Sequence, residues 1–194
     1  MISDPLYSFV FRGMLTEKAL ESTDAKSTKS TIKIDEEEIY KLLCLDELPT
    51  HLVEQSKKMS YVFTAICSFE NSIREFVTQK LQEEKGADWW KDCVPKKIKD
   101  KADSRKIEED KIKWHTQRGD NLINYTEFGD LISIMRGDNW EYFEPHIISL
   151  EWAQQIIKTL ERSRNVIMHS GELSNQDLAR IGTLIRDWIS QVGI

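Results

Sequence analysis

Three polar side chains, Arg164, Asn165 and His169, interrupt an apolar helical pattern in the stretch RSRNVIMHSGEL, residues 162–173. Arg164 falls on the apolar stripe of its own helix, between Leu160 and Ile167. Burying an unpaired guanidinium is costly, so Arg164 must meet a partner, or the stripe must open into a cleft. Asn165 and His169 are four residues apart and share a helix face. An ideal helix sets Arg164 and His169 about 140° apart. They converge only if the helix ends near Met168, or if two chains build the cleft together. Ser170-Gly171 is the expected stop.

An Arg, a titratable His and an amide at one cleft suit phosphodiester chemistry. The reaction needs a base for a ribose 2′-OH, a cation for the crowded phosphate and an acid for the leaving oxygen. The same residues also read as a salt-bridged Arg and a helix-capping His. No carboxylate cluster suggests a two-metal site. There is no Gly-rich phosphate loop and no nucleophilic triad, and His51, His115 and His146 form no ligand pattern. No cofactor or metal is expected.

Other residues are candidates for support. Glu70 and Arg74, four apart beside an apolar stripe, either line the cleft or form a surface ion pair of ~0.3–0.5 kcal/mol. Glu161 adjoins the Arg164 motif. Residues 95–118 hold nine Lys/Arg against five Asp/Glu in a chain whose net charge is −6. Within this basic stretch Lys96, Lys97, Lys99, Lys111 and Lys113 are candidates for holding RNA phosphates; a solvated helix face is the plainer reading. Trp89, Trp90, Trp114, Trp140 and Trp152 read as core or interface anchors rather than base-stacking platforms.

Helices must position these groups. Met59, Val62, Ile66, Phe69, Ile73 and Phe76 recur at steps of three and four, which predicts a long helix over 50–85 stopped by Gly86. The stretch ADWWKDCVP reads as a turn, 95–118 as a charged helix and 126–136 as a short helix with Phe128, Leu131, Ile132 and Met135 inward. A further helix begins near Ser149, with Ala153, Ile157, Leu160, Arg164 and Ile167 on its stripe. The last begins at Ser174, with Asp177 completing a capping box and Leu178, Ile181, Ile185, Trp188 and Val192 inward. No strand-length alternation competes. The expectation is an all-α bundle of four to five core helices over 51–194. Residues 1–50 would form a helical extension: a helix opened by Ser3-Asp4-Pro5, a polar linker over 21–33 and a short helix over 35–45.

Composition adds bounds. At 194 residues, 40% of them hydrophobic, the chain can bury a real core. Three cysteines without metal-ligand spacing argue against a disulfide framework, and a cytoplasmic setting is expected. Cys44 and Cys67 lie in apolar helical patterns and read as small buried hydrophobes. The N-terminus lacks the form of a signal peptide, and no apolar run reaches membrane-spanning length.

The segment RNVIMH, Arg164 to His169, resembles the Arg-polar-x-x-x-His signature of the HEPN superfamily of helical ribonucleases. FENSIREFV (69–77), NYTEFGDLISIM (124–135), NWEYFEP (139–145) and SNQDLARIGTLIRDW (174–188) extend the likeness to the HEPN branch attached to the Swt-type RNA-surveillance endonuclease. The resemblance covers about 55–194. It implies a homodimer with two copies of the motif facing one cleft. It also implies metal-independent RNA cleavage, with Arg164 and His169 catalytic and Asn165 supporting. Family roles include toxin–antitoxin pairs and antiviral or abortive-infection defence, so an antitoxin or defence-system partner is expected. In HEPN toxins silenced by a partner nucleotidyltransferase, a Tyr stands two residues after the His. Here that residue is Gly171. Catalytically silent HEPN bundles that bind or dimerise are the alternative.

Overall fold

A computed structural model describes residues 35–193 of the chain. The expected helix from Ser3 to about Leu20 and the linker over 21–33 lie outside these residues. The chain divides into two units at Pro49/Thr50. In the first, α1 (Glu36–Leu42) carries three glutamates in its first turn, where the helix dipole favours negative charge. It stops short of Cys44, which is exposed and takes a left-handed conformation at φ 52°. Cys44 is therefore not the buried hydrophobe that the apolar pattern suggests.

The second unit is an all-α bundle, and no strand occurs among the described residues. Its axis is α2 (Thr50–Lys85), in which all six residues of the apolar stripe are buried, joined by Val77 and Leu81. The stretch after Gly86 departs from the expected turn: it is a short helix, α3 (Trp89–Cys93). Then come α4 (Lys96–Asp110), a 3₁₀ turn over Leu122–Tyr125, α5 (Phe128–Met135), α6 (Trp140–Phe143), α7 (Leu150–Met168) and α8 (Asn175–Val192).

The charged helix α4 is shorter than expected. It buries only Ile98 and Ala102 and ends at Asp110. Beyond that point Arg118 and Gln117 fold back onto Glu109 and Asp110. With no further side chain to bury, a longer helix has little packing to stabilise it.

Aromatic side chains knit the bundle. Phe69 of α2 meets Phe128 of α5 edge-on at 6.3 Å and Trp188 of α8 at 5.6 Å, while Trp152 of α7 stacks on Trp188 at 5.5 Å. Trp89 joins the core, with Trp90, Trp140 and Trp152 packed against it. Trp114 does not: it is 86% exposed. Local signals open the helices where the sequence places them. Ser149 accepts a hydrogen bond from the Trp152 N–H, and Ser174 and Asp177 form the reciprocal capping box at α8.

Candidate functional site

Arg164 reaches the α2 face through a carboxylate. Its Nη1 donates to Glu70 Oε2 at 2.7 Å. The other carboxylate oxygen, Oε1, accepts from Arg74 Nη2 at 2.5 Å. Glu70 is only 4% exposed, so the pair it makes with Arg74 is not the surface i,i+4 pair that spacing alone allows. Arg74 is fixed in turn by the Thr126 carbonyl at 3.1 Å and by Asn71 Oδ1 at 3.2 Å. Two guanidiniums thus share one buried carboxylate and leave the cluster with a net positive charge. The Nε atoms of Arg74 and Arg164 are buried without a hydrogen-bond partner. Arg164 keeps 27% of its side chain open to solvent, against 5% for Glu70.

Cys67 lies one turn before Glu70. Burial pushes its thiol up, and the Glu70 carboxylate adds to the rise against the opposing pull of Arg164 and Arg74. A thiol held in its protonated form is a poor nucleophile.

The other two motif residues sit at the exposed end of α7. The helix closes at Met168, with His169 as its C-cap. Ser170 N–H donates to the Ile167 carbonyl at 2.9 Å and Gly171 N–H to the Val166 carbonyl at 2.8 Å. These are the paired bonds of a Schellman closure. Ser170, not Gly171, takes the left-handed conformation, at φ 60°. Gly171 is required for a different reason: a Cβ there would lie 2.7 Å from Val166 Cγ1 and 2.9 Å from the Val166 carbonyl oxygen. The position where partner-silenced toxins carry Tyr is therefore one where any side chain meets backbone. Asn165 and His169 are exposed, with exposed Val166 and Met168 beside them. Among the described residues no hydrogen bond joins His169 to Arg164.

Glu161 lies one helical turn before Arg164. Its carboxylate covers Gly129 of α5, where a Cβ would sit 3.6 Å from either oxygen. The lysine candidates do not form one patch. Lys96 and Lys97 are exposed at the start of α4, and Lys111 and Lys113 lie just past its end; the helix is 15 residues long, or ~22 Å, and holds the pairs at opposite ends. Lys99 donates to the Lys91 carbonyl at 2.6 Å. Arg105 has a role that its charge run does not reveal. It grips the Tyr125 carbonyl at 2.7 Å and the Glu127 carboxylate, bracing the segment that also holds Arg74.

Among the described residues no three His, Cys, Asp or Glu side chains gather as a metal-ligand set, and no helix is long and apolar enough to cross a membrane. A family model described as Swt1-like HEPN matches residues 65–193, a span that contains Glu70, Arg74, Glu161 and the whole Arg164–His169 motif. Comparisons with curated proteins and with solved structures returned no match.

Proposed function

The chain belongs to the Swt1-like HEPN family, and from that premise we propose that it is a metal-independent endoribonuclease acting as a homodimer. The observation that carries this reading is the state of the motif. Arg164 is oriented by a buried carboxylate while still partly open to solvent, and Asn165 and His169 stand free at the end of the same helix. In this reading the nucleophile is the substrate's own 2′-OH. His169 moves the proton, Arg164 holds the phosphate and its developing charge, and Asn165 orients either group. The 2′-oxygen bonds to phosphorus as the P–O5′ bond breaks, and the leaving 5′-oxygen takes up a proton, so the products are a 2′,3′-cyclic phosphate and a 5′-hydroxyl. The exposed Val166 and Met168 support assembly, since burying them against a second copy would bring two motifs to one groove. The same proposal includes a toxin or defence role, with a partner protein that restrains it.

The alternative is a catalytically silent module that binds or dimerises. It draws on the same ion pair, because Arg164 engaged by Glu70 also serves as an internal tie between α7 and α2.

The test is cleavage of RNA by the purified chain beside His169→Ala and Arg164→Ala. Removing a general acid–base typically lowers rate by ~10²–10⁴. Both variants should lose cleavage and toxicity while keeping helicity and sedimentation mass, and EDTA should change nothing. Equal cutting of DNA, loss of activity in EDTA, or wild-type rates in His169→Ala would overturn the mechanism. A clean monomer at micromolar concentration would overturn the shared groove.

A further inference from the structure

We propose that the tip following α4 is a stacking platform for a base of single-stranded RNA, with Trp114 as the platform and Lys111 and Lys113 as its phosphate partners. This rests on the ribonuclease reading above and adds to it a second, outlying contact with the substrate.

Trp114 is the most exposed of the large hydrophobic side chains among the described residues, at 86%. The segment that presents it is anchored. Arg118 Nε pairs with Glu109 Oε1 at 2.6 Å, and Gln117 Nε2 donates to Asp110 Oδ1 at 2.7 Å. Lys106 Nζ donates to the Asp120 carbonyl and Tyr125 OH to the Gly119 carbonyl, both at 3.2 Å. At the tip the His115 N–H bonds the Ile112 carbonyl at 3.1 Å, and the His115 ring meets Trp114 edge-on at 5.6 Å. The indole thus meets the His115 ring on one side and otherwise stands in water. Lys111 and Lys113 are exposed and have no ion-pair partner among the described residues.

An aromatic face beside free cations is what a single strand needs: the ring stacks on a base, and the cations meet the phosphates on either side. Association with an apolar protein surface fits less well, because lysine is depleted at such interfaces. The tip also connects to the Arg164 cluster. From α4, Arg105 grips the Tyr125 carbonyl and Glu127, and from α2, Arg74 holds the Thr126 carbonyl between them. A strand reacting at Arg164 and stacked at Trp114 would touch two parts of one braced framework.

The experiment measures binding of a labelled single-stranded oligouridylate by anisotropy, across a salt series. It uses the full chain carrying His169→Ala so that the probe survives. Adding Trp114→Ala should weaken binding roughly 5- to 150-fold, and Trp114→Phe should restore most of it. Lys111→Gln and Lys113→Gln should each reduce the salt slope by about 0.7. Unchanged affinity in Trp114→Ala overturns the platform while leaving the ribonuclease reading intact. A drop in sedimentation mass in Trp114→Ala also overturns it, in favour of a protein interface at the tip. Failure of the His169→Ala parent to bind any RNA removes both readings together.

Discussion

Arg164 and Glu70, 94 residues apart in sequence, are joined by a 2.7 Å ion pair, and Arg74 completes the arrangement from the other side of the same carboxylate. A buried charge that loses its partner is strongly destabilising, so this relationship has consequences for folding as well as for chemistry.

Glu70→Ala leaves two guanidiniums facing each other without a counter-charge. It should destabilise the helical unit by ~3–5 kcal/mol, read as a fall in thermal midpoint on the order of 10 °C. Arg74→Ala keeps the Glu70–Arg164 pair but frees the Thr126 carbonyl, and should cost less. Equal midpoints for Glu70→Ala and wild type would show that the carboxylate is not the keystone of this cluster.

Gly171→Ala tests the helix closure. The added methyl must push aside Val166, including its carbonyl oxygen at 2.9 Å. The Schellman bonds of Ser170 and Gly171 should weaken, and amide exchange at both residues should quicken. Gly171→Tyr should be worse still, and reduced RNA cleavage should accompany it because His169 caps the same turn. Unaltered exchange in Gly171→Ala would refute the close approach.

Asp177 gives a pH-dependent prediction. The hydrogen bonds from the Ser174 hydroxyl and N–H hold its carboxyl below the ordinary value of 3.8, with Arg180 adding to the effect. A carboxyl lowered on folding stabilises fully above its unfolded pKa, and that contribution is lost as pH falls through the folded pKa. Wild type should therefore melt above Asp177→Asn near neutral pH, and the gap should close as pH drops below about 4. A gap that persists in strong acid would mean the charge is not what matters at this cap.

Thiol labelling separates the cysteines. Burial raises the Cys67 and Cys93 thiols, whereas Cys44 is exposed. At mildly alkaline pH, alkylation followed by peptide mass spectrometry should find Cys44 modified first and Cys67 late. Rapid modification of Cys67 in folded protein would contradict its place beside Glu70.

The helices themselves were legible in the residues, because amphipathic periodicity is a local property. The stripe from Met59 to Phe76, the inward set of α5 and the Ser174–Asp177 box each depend on neighbours within a turn or two. For the same reason the C-terminal end of α7 near His169 could be read from Ser170-Gly171, although Ser170 rather than Gly171 takes the left-handed residue. What required the tertiary structure is everything decided between distant segments. An arginine on an apolar stripe announces that it needs a partner but not which one, and only the packing of α7 on α2 selects Glu70. The same packing turns the Glu70–Arg74 spacing from a surface pair into a buried one. Composition likewise cannot tell a core tryptophan from an exposed one: Trp188 and Trp114 differ because one helix continues into the bundle and the other ends at Asp110, where nothing remained for it to bury.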